Sequence, residues 1–125
     1  MNELAREWIG KAEDDYTVAR REFISDPPIY DAVCFHAQQC VEKYMKAILQ
    51  ENDIECSKTH DLDLLLEKCK QFVAQLQEYK LGLVELSSFA VEIRYPGVEA
   101  TKEEGQSCLA VMETARNLIR QYFSL

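Results

Sequence analysis

The chain has 125 residues, a formal net charge of −8, and hydrophobic and charged fractions of 47% and 29%. That is enough for one core and one domain, 1–125, and too little for two, and the mixture excludes a disordered chain. The acidic balance opposes generic binding to DNA or RNA, whose electrostatic footprint is basic, while leaving room for a small local basic site or a basic partner protein.

Only four Gly and three Pro are present, fewer turn residues than a β-sandwich of this length needs, so the composition leans towards helices. A first helix is expected from residue 2 to about 23, with Asn2 as N-cap and Leu4, Trp8, Ala12, Ala19 and Phe23 at helical spacing. Ser25-Asp26-Pro27-Pro28 stops it. A second helix follows from about Ile29 to Glu51, and then a loop over 52–59. From Leu62 to Ile93 apolar residues keep an alternating three-four spacing. One helix of that length would be near 48 Å at about 1.5 Å per residue, long for so small a domain, so a break is expected near 70–76. Arg94-Tyr95-Pro96-Gly97 ends the segment, because Pro96 drives Tyr95 out of the helical region and Pro-Gly favours a turn. Thr101-Lys102-Glu103-Glu104 is a capping box that opens a last helix running to about Phe123. The expected architecture is all-α, a single antiparallel up-and-down bundle of about five helices.

Five Cys stand at 34, 40, 56, 69 and 108. The number is odd and no pair is spaced C-x-x-C, which argues against a zinc ribbon or a disulfide framework and for a reducing cytosol. The N-terminus is too charged for a signal peptide, and no apolar run reaches membrane-spanning length, so a soluble, cytoplasmic protein with no membrane partner is expected. The two His, at 36 and 60, lack the Glu-x-x-His or His-x-x-x-His spacing of helical metal sites, and no metal is expected. There is no Gly-rich phosphate loop and no G-x-S-x-G, and no Cys stands at a convincing nucleophile position.

The second helix is the informative one. Val33, Ala37, Cys40, Val41, Tyr44, Ala47 and Ile48 cluster on one side and read as core. His36, Gln39, Lys43 and Lys46 lie opposite, with Glu42 at the border and Phe35 among the polar residues; Gln38 falls inside the apolar arc. One reading is a solvated face, in which Glu42 and Lys46 form an i,i+4 pair worth about 0.2–0.5 kcal/mol. The other is a second interface, since an aromatic ringed by amides and charges suits a polar homodimer contact or the stacking of a base. His60 and Arg94 have ordinary roles open to them: His60 beside the N-cap of the third helix, and Arg94 at a helix C-terminus where the dipole favours a cation.

Three stretches in order carry a resemblance. Phe35-His36-Ala37-Gln38-Gln39-Cys40-Val41-Glu42-Lys43 with Lys46-Ala47, then Lys58-Thr59-His60-Asp61-Leu62, then Arg94-Tyr95-Pro96-Gly97, together with Trp8-Ile9-Gly10-Lys11-Ala12-Glu13-Asp14-Asp15, resemble the HEPN family (higher eukaryotes and prokaryotes nucleotide-binding domain). The resemblance implies a bundle of about five helices that forms a homodimer. It also implies a nucleotidyltransferase-like partner in a toxin–antitoxin-like pair and no cofactor beyond a nucleotide ligand. Phe35, His36, Gln39, Lys43, Lys46, His60, Arg94 and Tyr95 become the candidate ligand-binding residues. Many HEPN proteins are metal-independent ribonucleases whose Arg is followed, after four to six residues, by a His. Here Arg94 is followed at those places by Glu99, Ala100 and Thr101. The usual acid–base group for 2′-OH cleavage is therefore missing. The expected function is a nucleotide-binding and interaction module. The alternatives are a divergent endoribonuclease using Arg94 with His36 or His60, and a ligand-free helical adaptor.

Overall fold

A computed structural model describes residues 1–56 and 58–125; Ser57, in the expected 52–59 loop, lies outside the described residues. Five α-helices follow one another: α1 Glu3–Phe23, α2 Tyr30–Glu51, α3 Leu62–Cys69, α4 Lys80–Glu92 and α5 Lys102–Tyr122. A 3₁₀ segment, Ala74–Tyr79, joins α3 to α4. There is no strand among the described residues.

Both expected N-caps are in place. The Asn2 side chain accepts from the Ala5 amide, and Thr101 and Glu104 satisfy each other's amides as a capping box. The long 62–93 segment breaks between Cys69 and Lys80 without Gly or Pro, the chain tightening into 3₁₀ geometry that folds α4 back along the bundle. Gly97 takes φ +91°, the left-handed turn conformation that Pro96-Gly97 implies.

The helix α2 is the axis, packed against α1, α3, α4 and α5. Its buried side runs from Val33 to Leu49 and includes every residue of the expected apolar cluster. Ala12 and Ala19 of the expected α1 stripe are buried, but in its first turns Ala5 and Ile9 take the buried places in preference to Leu4 and Trp8. Leu4 is exposed, while Ala5, Ile9, Ala12, Asp15 and Ala19 face the core. Ala5, Ala12 and Ala19 recur every seven residues, and their small side chains let α1 lie close on α2. The core outvotes a larger apolar residue where a small one packs better. No helix among the described residues is long and apolar enough to cross a membrane.

Candidate functional site

Three contacts bring the candidate residues to α2. The Asn2 side-chain amide donates to the Gln50 carbonyl, pinning the start of α1 to the end of α2. The Ala100 amide donates to Asp31 at 2.7 Å, drawing the turn after α4 towards the first turn of α2. The Leu62 amide donates to Ser87 Oγ, joining α3 to α4 beside His60.

On the outer strip of α2, Asp15 of α1 is the anchor. This buried carboxylate accepts from His36 Nδ1 at 2.8 Å and from Lys43 Nζ at 2.6 Å. A carboxylate only accepts, so His36 carries its proton on Nδ1 in this bond and offers Nε2 to a partner. Beside them the Arg94 guanidinium lies over the Phe35 ring, 5.6 Å from its centroid, a cation–π contact worth about 0.5–1 kcal/mol at an exposed site. Phe35 in turn meets the His36 ring edge-on. Around Arg94 the chain leaves Val91, Tyr95 and Val98 exposed, Tyr95 to 64%.

The second cluster is centred on Glu42, only 3% of whose side chain is exposed. Glu42 accepts from Lys46 Nζ at 3.0 Å, from His60 Nδ1 at 2.9 Å and from Gln38 Nε2 at 3.3 Å. Gln38 Nε2 also donates to the His60 carbonyl, and Gln39 Nε2 donates to Gln38 Oε1, which extends this cluster along α2. Lys46 further sits 5.5 Å from the centroid of the Trp8 ring. This corrects the solvated-face account of Glu42 and Lys46: the pair is buried, because α1 lays Trp8 across it and the 58–61 loop lays His60 over its other side. Lys46, one of the candidate ligand-binding residues, is therefore occupied within the fold. His60 keeps 61% of its side chain exposed while its Nδ1 is fixed.

The structure thus gathers Phe35, His36, Gln39, Lys43 and Arg94 along one strip, sets Tyr95 beside it, and turns Lys46 inwards. Two residues with structural claims on the site were missed in the sequence. Asp15 follows Ala12 by three residues and precedes Ala19 by four, so an acid stood on the apolar stripe and its spacing was the available signal. Ser87 carried no such signal.

The cysteines do not join in. All five are free thiols. Burial pushes Cys69 up to about 12 and raises Cys40 as well, while a hydrogen bond with Cys108, together with burial, raises Cys34. These thiols stay protonated at neutral pH and are poor nucleophiles. Among the described residues no three His, Cys, Asp or Glu converge where a metal ion would sit.

A family model, HEPN domain, matches residues 5–122, nearly the whole chain. The chain belongs to the HEPN family. No curated protein and no solved structure matches it. For a HEPN domain, the arrangement on α2 has a specific shape. It is a strip rather than a hollow. A cleft of about 630 Å³ lies to one side, between Trp8 and Lys11 of α1 and the Asp53–Cys56 segment. Fixed cations, an aromatic ring and exposed apolar side chains on an open face suit another macromolecular surface better than an enclosed small molecule.

Proposed function

We propose that this HEPN domain is a binding and interaction module whose α2 strip is the contact between two copies of the chain. Its partner would be a nucleotidyltransferase-like protein in a toxin–antitoxin-like pair. The observation that carries this is the strip itself. Arg94 on Phe35, with His36 and Lys43 paired to the Asp15 carboxylate, makes a preorganised aromatic and polar face whose charges are largely compensated within each copy. A two-fold contact centred on Phe35 would cover Val91, Tyr95 and Val98 as well. Phe35→Asp is expected to shift the protein from dimer to monomer in sedimentation velocity. A dimer that survives the substitution places the contact elsewhere.

The same face is proposed to take the phosphates of a nucleotide. In the unpaired chain Arg94 and Lys43 would meet phosphate oxygens and Tyr95 or Phe35 would stack a base, so nucleotide and second copy would compete for the face. In calorimetry ATP is expected to give saturable heat that Arg94→Ala abolishes. Absence of heat with ATP, GTP and their diphosphates removes the nucleotide part and leaves the interaction part standing.

A second reading is ribonuclease. What favours it is His60, held through Nδ1 by a buried carboxylate with Nε2 left for proton transfer. What opposes it is the absence of a His after Arg94 at the family spacing. Structured RNA in EDTA is expected to survive incubation with the protein. Cleavage that Arg94→Ala or His60→Ala removes would reverse the preference.

A further inference from the structure

The interface between α4 and α5 carries a different surface, whose lining shares no residue with the α2 strip. A groove runs between α4 and α5 in two stretches of about 450 and 270 Å³ that share Gly82 and Val111. Gly82 lets α4 and α5 approach closely where the two stretches meet, since a Cβ there would stand 3.1 Å from Val111. Phe89, Val111 and Ala115 are among its apolar lining, with Leu81, 73% exposed, beside them. Every charged residue that lines it is acidic. Glu78, Glu85, Glu92 and Glu104 line the two stretches, and no Lys, Arg or His does.

The glutamates are ordered as well as abundant. Glu85 and Glu92 stand seven residues apart on α4, and Glu78 lies on the 3₁₀ segment that precedes it. Seven residues of helix rise about 10 Å and return to nearly the same side. Among the described residues none of the three is within ion-pair distance of a cation, whereas Asp15, Glu42 and Glu13 all are. An apolar groove lined by unneutralised carboxylates, two of them about 10 Å apart along α4, has a definite complement.

We propose that the α4–α5 groove docks an amphipathic helix of a partner protein that presents Lys or Arg every seven residues beside an apolar seam. The spacing selects a helix over a strand. An extended segment covers about 10 Å in three residues, and that odd step puts successive basic side chains on opposite faces. The charge selects against a second copy of this chain. A two-fold contact through this face would set the glutamates against one another. It selects equally against nucleic acid. Leu81 and Phe89 would supply the apolar anchors, in the manner of a helix laid in a groove. This surface is separate from the α2 strip and stands whether or not the strip binds a nucleotide or a second copy.

The test uses the full chain and a fluorescein-labelled synthetic helical peptide of about 18 residues, long enough to follow α4 end to end. One peptide carries Lys every seventh residue beside a Leu seam, and a control carries Glu in place of Lys. Fluorescence anisotropy is expected to show saturable binding of the Lys peptide, at least about tenfold tighter than the Glu peptide. In Glu85→Lys/Glu92→Lys, two exposed substitutions whose fold circular dichroism checks, the preference is expected to invert. No saturation, equal binding of both peptides, or an unchanged preference in the double variant overturns the proposal. So does loss of a wild-type dimer in Leu81→Asp, which would make the groove a self-contact.

Discussion

Glu42→Ala is expected to lower the free energy of unfolding by about 3–5 kcal/mol, measured by urea denaturation at neutral pH. The size follows from what remains rather than from what is removed. Lys46 is left with 7% of its side chain exposed, its ammonium over Trp8 and no counter-charge. Breaking one half of a buried pair costs that much because the surviving charge is stranded. Gln38 and His60 lose an acceptor too. The control is a second substitution. Adding Lys46→Met to Glu42→Ala removes the stranded charge and keeps an unbranched apolar chain against Trp8, so more than half of the loss should return. A double variant as unstable as the single one would show that the pairing is not the cause. A single-variant loss below about 1 kcal/mol would show that Lys46 reaches water by extending along the surface.

The second large effect lies on the opposite flank of α2. Glu13 of α1 receives Arg116 Nε and Nη2 at 2.7 and 2.8 Å, side-on, and the Tyr44 hydroxyl at 2.6 Å; Arg120 stands 3.5 Å away. The Arg116 bonds, with Tyr44 and Arg120 assisting, hold the Glu13 carboxyl below its ordinary 4.5 despite partial burial. Burial and the bond to Glu13 raise Tyr44, so its hydroxyl donates throughout the ordinary pH range. Glu13→Gln is expected to cost about 2–3 kcal/mol at pH 7, from lost charge-assisted hydrogen bonds. Solvent access to about a third of the Glu13 side chain keeps this below the Glu42 effect. The pH dependence has a fixed sign. A carboxyl harder to protonate when folded stabilises the fold fully above its unfolded value, and that contribution drains away as pH falls through the lower folded value. The gap between wild type and Glu13→Gln should therefore be full at pH 7 and narrow progressively below about 4.5. A gap that stays constant down to pH 3 would remove the Glu13 carboxylate as its source.

Both effects arise from residues whose sequence context looked ordinary. Glu42 and Lys46 are four apart on a helix, the spacing of countless surface pairs, and on that basis their value was about 0.2–0.5 kcal/mol. The order-of-magnitude difference comes from Trp8 and from His60 on the 58–61 loop, which close over the pair from other parts of the chain. Glu13 and Arg116 are 103 residues apart, and no local pattern joins them. His36 and Lys43 were legible as a polar strip, but their common anchor, Asp15, belongs to another helix. Arg94 was legible as a C-terminal cation favoured by the helix dipole; that it lies over Phe35 depends on the turn that Asp31 draws in.

What the sequence determined alone is what local chemistry determines. Caps at Asn2 and Thr101, stops at Pro27-Pro28 and Pro96-Gly97, and a three-four apolar rhythm act within a few residues, and they set five helices and the buried side of α2. The expected break after Cys69 came from length, since a helix of over 30 residues has nothing to pack on in so small a bundle. Family membership was legible for a related reason: ordered short stretches survive as text. The tertiary structure decided which charges are buried, which are presented, and where a groove is left open. Those outcomes depend on what another helix lays across a side chain, and periodicity measures only the helix to which the side chain belongs.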